Sequence, residues 1–375
     1  MSLDKKFLVD YINLHGLNDT LDLTNMNIFS IDADIAEIDG DHLRTIDLRE
    51  NPIVLNEASV QLLTELAKHL HKLILGHCMP EIKFGGFRSL THLDLSSANL
   101  WLTQENQDIF TGVKSLKYLY LRRSRLSNCL PNIFKGIDQL EILILEEIEF
   151  EPALESDQFM YLENLKEITM RYTPIKNTSV LKSHKNIDSI HIETSRIDGI
   201  EVFNSFKKLK KLVLRSSFKR NDLDVIKDLT NLQHLDLRSC NIVFDLAKEN
   251  IDMLNDQEDK ENQAHQSRRR NQRTPFAQLS NQQQQRAPNS KKPKIDQSVV
   301  TNQIDSFSFD AFKNLRFLSY LNISGNKIVN FNETLFDNFS NVEILSLKSV
   351  SFQGSYEIKL TENLFRPLRK LVELD

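Results

Sequence analysis

Residues 43–53 read Leu43-Arg-Thr-Ile46-Asp-Leu48-Arg-Glu-Asn51-Pro-Ile53 and carry the pattern L-x-x-L-x-L-x-x-N-x-L. Further copies of this pattern begin at Leu70, Leu90, Leu116, Leu140, Leu165, Ile187, Leu209, Leu232, Leu318 and Val342. From Leu43 to Leu232 the starts are 27, 20, 26, 24, 25, 22, 22 and 23 residues apart. Such a period is the sequence signature of a solenoid built from stacked repeats. A weak copy from Asn18 and a last one from Leu371, cut off at Asp375, extend the array.

The alternating L-x-L positions of each copy predict a short β-strand. Side chains alternate along a strand, so both leucines point to one face. A single strand cannot bury that face, and neighbouring copies are therefore expected to stack in parallel around a shared core. The sequence thus predicts an α/β solenoid of about twelve repeats with a parallel, concave β-sheet.

The 22 Phe residues, against 10 Gly and 1 Trp, also follow the repeat. Of the ten copies from Leu90 onward, eight have Phe six residues before the start: Phe84, Phe110, Phe134, Phe159, Phe203, Phe312, Phe336 and Phe365. The positions three residues before these ten copies are apolar except at His184. We therefore predict a buried Phe spine on the returning half of each repeat.

Residues 126–140 and 311–318, which read LSNCLPNIFKGIDQL and AFKNLRFL, resemble the leucine-rich repeat family and its "typical" class of about 24 residues per repeat. The resemblance implies a leucine-rich repeat horseshoe and a non-enzymatic recognition role. The typical class consists mostly of extracellular and cell-surface proteins, so the resemblance also implies that setting.

The family's repeat pattern has an Asn three residues after the second leucine of L-x-L. In this chain that position is Asn in two copies, at Asn51 and Asn326. In the family this side chain bonds the backbone of the neighbouring turn, and Ser, Thr or Cys can partly replace it. Cys78 and Cys240 stand at this position, so we interpret them as small buried residues and not as redox centres. Three cysteines in the whole chain also exclude a small disulfide scaffold.

The spacing of copies predicts four segments. Residues 1–17 form a cap-like N-terminal segment, and residues 18–245 carry repeats. Residues 246–305 are expected to be a disordered polar and basic insertion, because the spacing jumps to 86 between Leu232 and Leu318 and the composition is polar and Gln-rich. Residues 306–375 carry further repeats and stop in the middle of a strand, which suggests a fragment or an incomplete gene model.

The insertion is also where the positive charge lies. Residues 262–295 contain eight basic and no acidic residues, whereas the net charge of the whole chain is −5. The basic residues of interest are Arg268, Arg269, Arg270, Arg273, Lys291, Lys292 and Lys294. They resemble nuclear-import or polyanion-binding clusters, but only Phe276 offers an aromatic ring for stacking. A tolerated low-complexity insertion is the favoured interpretation.

The remaining motifs argue against chemistry. No apolar run approaches the length of about 18 residues that a membrane helix needs, and Asp10 interrupts the N-terminal apolar run. No phosphate-binding loop, nucleophile elbow, metalloprotease motif or C-x-x-C occurs. The repeat register separates His69, His71, His77 and Cys78, the nearest approach to a metal cluster. We predict no catalytic residue, no metal and no cofactor.

Charged residues follow the L-x-L pair on consecutive copies. Neighbouring strands lie about 4.8 Å apart, so Arg122, Glu146, Arg171, Glu193 and Arg215 could form a ladder of alternating charge. One interpretation is pairing that satisfies itself, and the other is an array that meets a charged partner. Tyr, Arg and Ile residues of the copies from 116, 140 and 165 add side chains of the kind that anchor interfaces. The candidate ligand-binding residues are Tyr118, Tyr120, Arg122, Arg123, Ile142, Ile144, Glu146, Arg171, Tyr172, His191 and Arg215.

Two functional hypotheses remain. The leading one is a protein-recognition module of a cell-surface or secreted protein, which binds a protein ligand on its concave face. The alternative is a cytoplasmic or nuclear scaffold or adaptor with a basic loop, favoured by the absence of a signal peptide and of paired cysteines. Nucleic acid is not the expected partner, and contact with a membrane is expected only through segments outside this sequence.

Overall fold

The computed structural model describes residues 1–16, 18–76, 79–80, 83–98, 100–102, 107–127, 132–151, 159–175, 177–217, 222–240, 243–245, 306–308, 312–329, 334–353 and 362–375. In this part of the chain one parallel sheet of 13 strands runs from end to end, and its strands pair in chain order. They are β2 (Thr20–Asp22), β4 (Thr45–Asp47), β6 (Lys72–Ile74), β8 (His92–Asp94), β10 (Tyr118–Arg122), β12 (Ile142–Glu146), β14 (Glu167–Arg171), β15 (Ser189–Arg196), β16 (Lys211–Ser217), β17 (His234–Asp236), β20 (Tyr320–Asn322), β22 (Ile344–Ser346) and β24 (Glu373–Leu374).

Shorter strands flank this sheet where the chain turns away from it. They are β1 (Ser2–Leu3), β3 (Ser30–Ile31), β5 (Val54–Leu55), β7 (Met79–Pro80), β9 (Trp101–Leu102), β11 (Arg125–Ser127), β13 (Glu149–Glu151), β18 (Val243–Asp245), β19 (Ser306–Ser308), β21 (Lys327–Val329) and β23 (Ser351–Gln353). Strands β1 and β3 form one pair, and β5 and β7 form another. The others form a three-stranded sheet in the order β13-β11-β9 and a four-stranded sheet in the order β19-β18-β21-β23.

The returning halves of the repeats are mostly 3-10 helices. These span Ala33–Glu37, Phe84–Gly86, Asn132–Phe134, Thr178–Leu181, Ile200–Ser205 and Asp222–Asp228. The α-helices are α1 (Lys5–His15), α2 (Glu57–Leu66) and α3 (Glu362–Phe365). Among the described residues, none of these helices is long and apolar enough to cross a membrane.

Helix α1 lies at the N-terminal end of the array. The side chain of Asp4 accepts a hydrogen bond from the Phe7 amide at 2.7 Å and so caps the helix. Leu8 is buried, and Phe7 and Tyr11 pack against the same core. The helix therefore covers apolar surface of the first repeat, as a solenoid end requires.

The core confirms the predicted stacking. The paired L-x-L residues are buried on one face of every central strand, for example Leu119 with Leu121 and Leu143 with Leu145. Register aligns each with its counterpart in the next repeat, Leu119 with Leu143. The Phe spine is buried as predicted, with Phe84, Phe110, Phe134, Phe159, Phe203, Phe312 and Phe336 at most 1% exposed and Phe365 partly buried.

Side chains at the Asn position of the repeat form hydrogen bonds with buried backbone groups of the turns. Asn51 accepts from the Ile28 amide at 2.9 Å and donates to the carbonyls of Leu23 and Leu48 at 2.8 and 3.0 Å. Thr173 and Cys240 stand at the same position and donate to the carbonyls of Leu145 and Leu214, respectively. Burial raises the pKa of the Cys240 thiol to about 12, which keeps it unreactive. Cys78 lies outside the described residues.

The repeats before and after the predicted insertion are direct neighbours. Strand β17 pairs with β20 along three residues, from His234 opposite Tyr320 to Asp236 opposite Asn322. In the flanking sheet β18, which ends at Asp245, pairs with β19, which begins at Ser306. The sheet therefore continues across the interruption. The predicted disordered segment 246–305 lies outside the described residues, so its predicted state remains a prediction.

An Asp or Asn between the two core positions ends five of the three-residue strands in the main sheet. Strands β6 and β22 are equally short, with Ile74 and Ser346 at that position. Asp or Asn stands there in β2, β4, β8, β17 and β20, each three residues long, and its side chain accepts the amide two residues on: Asp22 from Thr24, Asp47 from Arg49, Asp94 from Ser96, Asp236 from Arg238 and Asn322 from Ser324. This local bond begins a turn and ends the strand. In β10, β12, β14, β15 and β16 the residue is Tyr, Ile, Thr, His or Val, and the strands run for five to eight residues. The widest part of the concave sheet is therefore its centre.

Candidate functional site

Outward side chains of the concave sheet form three rows that cross the strands. The rows occupy the first, third and fifth residues of the long strands, as in Tyr118, Tyr120 and Arg122 of β10. Parallel pairing in register places Tyr118 beside Ile142, Tyr120 beside Ile144 and Arg122 beside Glu146. On β10 and β12 the side chains of the first two rows are aromatic or aliphatic, whereas those of the third row are charged.

An apolar and aromatic patch lies on β8, β10 and β12. It comprises His92, Tyr118, Tyr120, Ile142 and Ile144, and each side chain is partly exposed. The rings of His92 and Tyr118 stack with centroids 3.9 Å apart and planes 11° from parallel. Burial and the nearby Lys72 and His71 charges lower the pKa of His92, so the stacked imidazole is neutral at neutral pH. We call these five residues the aromatic patch.

The third row is a band of alternating ion pairs. Arg122 Nε lies 2.9 Å from Glu146 Oε2, and Arg171 bridges Glu146 Oε1 at 2.8 Å and Glu193 Oε2 at 3.0 Å. The band continues through Arg215, which contacts Glu193 Oε2 at 3.4 Å and Asp236 Oδ2 at 3.0 Å, and ends at Arg238, 2.8 Å from the same Asp236 oxygen. The ladder expected from the sequence therefore forms. We call Arg122, Glu146, Arg171, Glu193, Arg215, Asp236 and Arg238 the charged band.

Two carboxylates of the band, Glu193 and Asp236, have lowered pKa values that keep them ionised. Burial by itself would raise the pKa of Glu193, but hydrogen bonds from Tyr172 and Arg171 and the charge of Arg215 lower it. Burial would likewise raise the pKa of Asp236, and hydrogen bonds from Arg238 and Arg215 outweigh it. Since Asp236 is almost fully buried, its charge depends on these two guanidinium groups.

His191 lies in the second row between the patch and the C-terminal half of the band. Thr169 and Val213 flank it on the adjacent strands. Burial, with the nearby Arg215 and Arg171 charges, lowers its pKa to about 4, which outweighs the opposing effect of Glu193. Its Nε2 lies 3.9 Å from Glu193 Oε2, too far for a hydrogen bond. His191 is therefore a neutral ring between charged neighbours.

Arg123 and Tyr172, two of the sequence-predicted ligand contacts, do not lie on the strands. Each follows its strand in a left-handed backbone conformation, with φ of 53° and 51°. Arg123 pairs with Glu147 at 2.8 Å outside the concave rows. Half-exposed Tyr172 lies under the guanidinium of Arg171, 5.5 Å from its ring centroid. The structure thus places Tyr172 with the charged band, whereas Tyr118, Tyr120, Ile142 and Ile144 share the aromatic patch.

The described ranges hold no group of three or more His, Cys, Asp or Glu side chains that could bind a metal ion. His77 and Cys78, half of the nearest candidate cluster, lie outside those ranges. So do the basic residues Arg268, Arg269, Arg270, Arg273, Lys291, Lys292 and Lys294. The geometry of the concave sheet supplies stacking surfaces and paired charges, which are groups suited to binding.

A leucine-rich repeat family model matches residues 88–147, which include β8, β10 and β12 and therefore the whole aromatic patch. The matched repeats, the open parallel sheet of 13 strands and the hydrogen bonds at the Asn position of the turns all indicate the same repeat fold. The chain folds as a leucine-rich repeat solenoid, and its residues 88–147 match the model of that family. Its predicted leucine-rich repeat solenoid is confirmed by solved structures of the same fold.

The leucine-rich repeat chain has similarities to proteins of several kinds. It is 28% identical to Toll-like receptor 4 of Bos taurus over 170 residues, which are 42% of this chain and 20% of that protein. An internalin of Listeria monocytogenes superposes with a TM-score of 0.60 at 15% identity, over 96% of this chain and 86% of the internalin. A structure of the Drosophila Toll–Spatzle complex superposes with a TM-score of 0.57 at 13% identity, over 98% of this chain and 44% of the other. The chain thus spans a fifth of the curated relative that it matches, and both structural matches show the fold alone.

Several residues of the concave face escaped the sequence analysis. His92, His234 and Tyr320 lie in the first row, where His234 stacks on Tyr320 with centroids 3.9 Å apart. Asp236, in the second row, closes the charged band through its pairs with Arg215 and Arg238. The signal was present, because the leucine-rich repeats from 90 and 232 both read His-Leu-Asp-Leu and the next strand begins with Tyr in both places. Aligning all outward positions, and not only the position after L-x-L, would have found them.

Proposed function

We propose that this leucine-rich repeat protein is a non-enzymatic protein-recognition module and that its protein ligand binds the concave face over the aromatic patch. The observation that carries the proposal is the partly exposed cluster of Tyr118, Tyr120, Ile142 and Ile144 on the widest strands of the sheet. Tyr is enriched at binding hot spots because its ring buries a large area at low entropic cost and its hydroxyl still bonds. The adjacent charged band would form a polar rim around such a contact.

The similar proteins support recognition of a protein. The Drosophila structure contains Toll in complex with Spatzle, and the bovine relative is named as a receptor. Leucine-rich repeat families of these kinds are typically binding modules without catalysis. These comparisons leave the ligand of this chain open, and its concave residues have to be tested directly.

The test compares ligand capture by the purified chain and by two variants. Tyr120→Ala and Ile144→Ala remove the centre of the aromatic patch, whereas Tyr161→Ala removes a partly exposed tyrosine on the returning side of a repeat. We expect a captured protein to bind the two patch variants at least about 30-fold more weakly, the loss typical of a hot spot, and to bind the control unchanged. Equal affinities for all three variants would show that the ligand does not use this face.

We further propose a cell-surface or secreted setting for the whole protein, in line with the receptor relatives. The sequence contains five N-glycosylation sequons, at Asn18, Asn177, Asn322, Asn332 and Asn338. Two of them suit a test, because Asn18 and Asn338 are exposed. Asn322 is buried and Asn177 caps a 3-10 helix through its side chain, so those two are poor acceptor sites. N-glycans at Asn18 or Asn338 in protein from its native source would support this setting.

The alternative is a cytoplasmic or nuclear scaffold, and the feature that favours it is the basic stretch from Arg268 to Lys294. Nuclear accumulation of the unglycosylated chain, abolished when Arg268, Arg269 and Arg270 are replaced by Gln, would favour it. Glycosylated protein in the secretory pathway would contradict it. The two outcomes exclude each other, since N-glycans are added in the secretory pathway.

A further inference from the structure

The C-terminal half of the charged band contains more guanidinium groups than carboxylates. Arg171, Arg215 and Arg238 share Glu193 and Asp236 in this half. Arg171 also meets Glu146, which Arg122 contacts as well, so the whole band pairs four arginines with three carboxylates. Two arginines share the same oxygen in each case, since Glu193 Oε2 meets Arg171 and Arg215, and Asp236 Oδ2 meets Arg215 and Arg238. Lys211, exposed in the first row of the same strand as Arg215, adds a further positive charge. This half of the band therefore carries an excess of positive charge.

The hydrogen-bonding capacity of these arginines is also unfilled. A guanidinium has five N–H donors. Arg215 makes one bond from each terminal nitrogen, to Glu193 and to Asp236. The Nε groups of Arg215 and Arg238 are shielded from solvent and find no acceptor among the described residues. An unsatisfied buried donor is unfavourable, so an added acceptor that re-aims these groups would be stabilising.

The second row beside the arginines supplies a partly apolar floor. Val213 is buried there, with the neutral ring of His191 on one neighbouring strand and the paired carboxylate of Asp236 on the other. Such a floor lowers the local dielectric constant, which strengthens an interaction between charges. The arginine side chains are still accessible, with 31%, 26% and 43% of Arg171, Arg215 and Arg238 exposed.

We propose that Arg171, Arg215 and Arg238 form a carboxylate-binding site that receives an Asp or Glu side chain of the protein ligand. A planar carboxylate matches the guanidinium fork and can bond two donors at once. The identity of the ligand as a protein rests on the proposed function. Strand β16 lies three strands from β12, so the site is about 14 Å from the aromatic patch. The ligand is thus expected to present an acidic residue at that distance from an apolar one.

The test uses the full chain and a capped hexaglutamate peptide, titrated at about 50 mM salt, where the screening length is longer than at physiological salt. We expect saturable binding that Arg238→Gln weakens at least tenfold. Arg215→Lys retains the charge and removes the fork, and it should weaken binding as well. Arg196→Gln is the matched control, because that arginine is exposed and lies outside the band.

A readout on the unaltered chain guards against a variant that folds poorly. The peptide should shift the NMR signals of the Arg215 and Arg238 side-chain Nε–H groups, and a hexalysine peptide should not. Equal affinity of Arg238→Gln and the parent chain, or no shift of these signals, would overturn the proposal. Binding of a sulfated oligosaccharide through the same arginines without binding of hexaglutamate would also overturn it. Tyr120→Ala should leave the hexaglutamate affinity unchanged, so failure of this site is distinguishable from failure of the aromatic patch.

Discussion

Single buried polar residues hold the turns of this solenoid together. Asn51 is 1% exposed, accepts a hydrogen bond from one amide and donates to three carbonyls in two different turns. Asn326 repeats the arrangement with the carbonyls of Leu237 and Ile323. Ala98 is completely buried at the same position and offers no such group. The cost of losing the side chain therefore depends on how many backbone groups rely on it.

Replacing Asn51 by Ala is expected to lower the free energy of unfolding by about 2–3 kcal/mol, because the Ile28 amide loses its acceptor inside the protein. Urea unfolding followed by circular dichroism measures the loss. Asn186→Ala is the control, since Asn186 is exposed and accepts only a surface bond from Lys208. Similar midpoints for the two variants would contradict the role given to Asn51.

The His191 ring should make stability depend on pH. Its pKa is about 4 in the folded chain and near 6.5 when unfolded, so the unfolded state binds more protons between these values. Stability contributed by the neutral ring is complete above pH 6.5 and is lost as the pH falls toward 4, by about 1–3 kcal/mol. The charged groups around it are Arg171, Arg215, Glu193 and Lys211.

The measurement is urea unfolding at pH 7 and pH 5. His191→Gln should reduce the difference between the two midpoints, whereas replacement of the exposed His69 should leave it unchanged. Titration of the His191 ring by NMR gives the pKa directly. An ordinary value near 6.5 would contradict the prediction.

At the level of strands, an Asp or Asn between the two core leucines ends its strand early. Asp94 and Asp236 both accept the amide two residues on, at 2.9 and 3.0 Å, and both strands are three residues long. Asp236 has a second task, since it is almost fully buried and pairs with two arginines. A comparison of the two aspartates therefore distinguishes the contribution of the turn to stability from that of the ion pairs.

Asp236→Asn keeps an oxygen for the Arg238 amide and removes the negative charge. We expect it to cost about 1–3 kcal/mol of stability, and Asp236→Ala about 3–5 kcal/mol, since the alanine loses the turn as well. Asp94→Asn, which keeps its turn, should cost less than about 1 kcal/mol. Chemical denaturation ranks the three, and an equal cost for Asp94→Asn and Asp236→Asn would contradict the importance of the pairs.

Across the whole molecule, stability passes from each repeat to its neighbours. The Phe spine forms the outer half of the core, and Phe134 contacts Phe159 of the next repeat with ring centroids 5.6 Å apart. In a solenoid every repeat contacts only its neighbours, so damage to one interface can uncouple the two sides. The continuous pairing of β17 with β20 extends this coupling past the interruption at residues 246–305.

Phe134→Ala is expected to cost about 3–5 kcal/mol, because the large buried ring leaves a cavity. Amide hydrogen exchange should rise first in the repeats from 116 to 165, before the ends of the array. Phe317→Ala is the control, since that side chain is 60% exposed and should cost less than about 0.5 kcal/mol. Uniform loss of protection along the chain would contradict the nearest-neighbour picture.

The sequence alone predicted the solenoid, the burial of the L-x-L leucines and the Phe spine. Each of these depends on a periodicity that is local in the chain, two residues within a strand and about 24 between strands. The alternating ladder from Arg122 to Arg215 could also be predicted from the sequence. When repeats stack in register, residues at the same position of successive repeats become neighbours on adjacent strands. The ligand-binding role of these residues stays a prediction.

Only the tertiary structure decided which polar atoms meet. It showed that Glu193 and Asp236 each serve two arginines through one oxygen, that Arg123 and Tyr172 turn away from the strands, and that His92 stacks on Tyr118. Sequence period fixes which residues are adjacent, but rotamer choice and turn conformation fix where their side-chain atoms lie. Those depend on packing between strands more than 20 residues apart, which a single copy of the repeat does not contain.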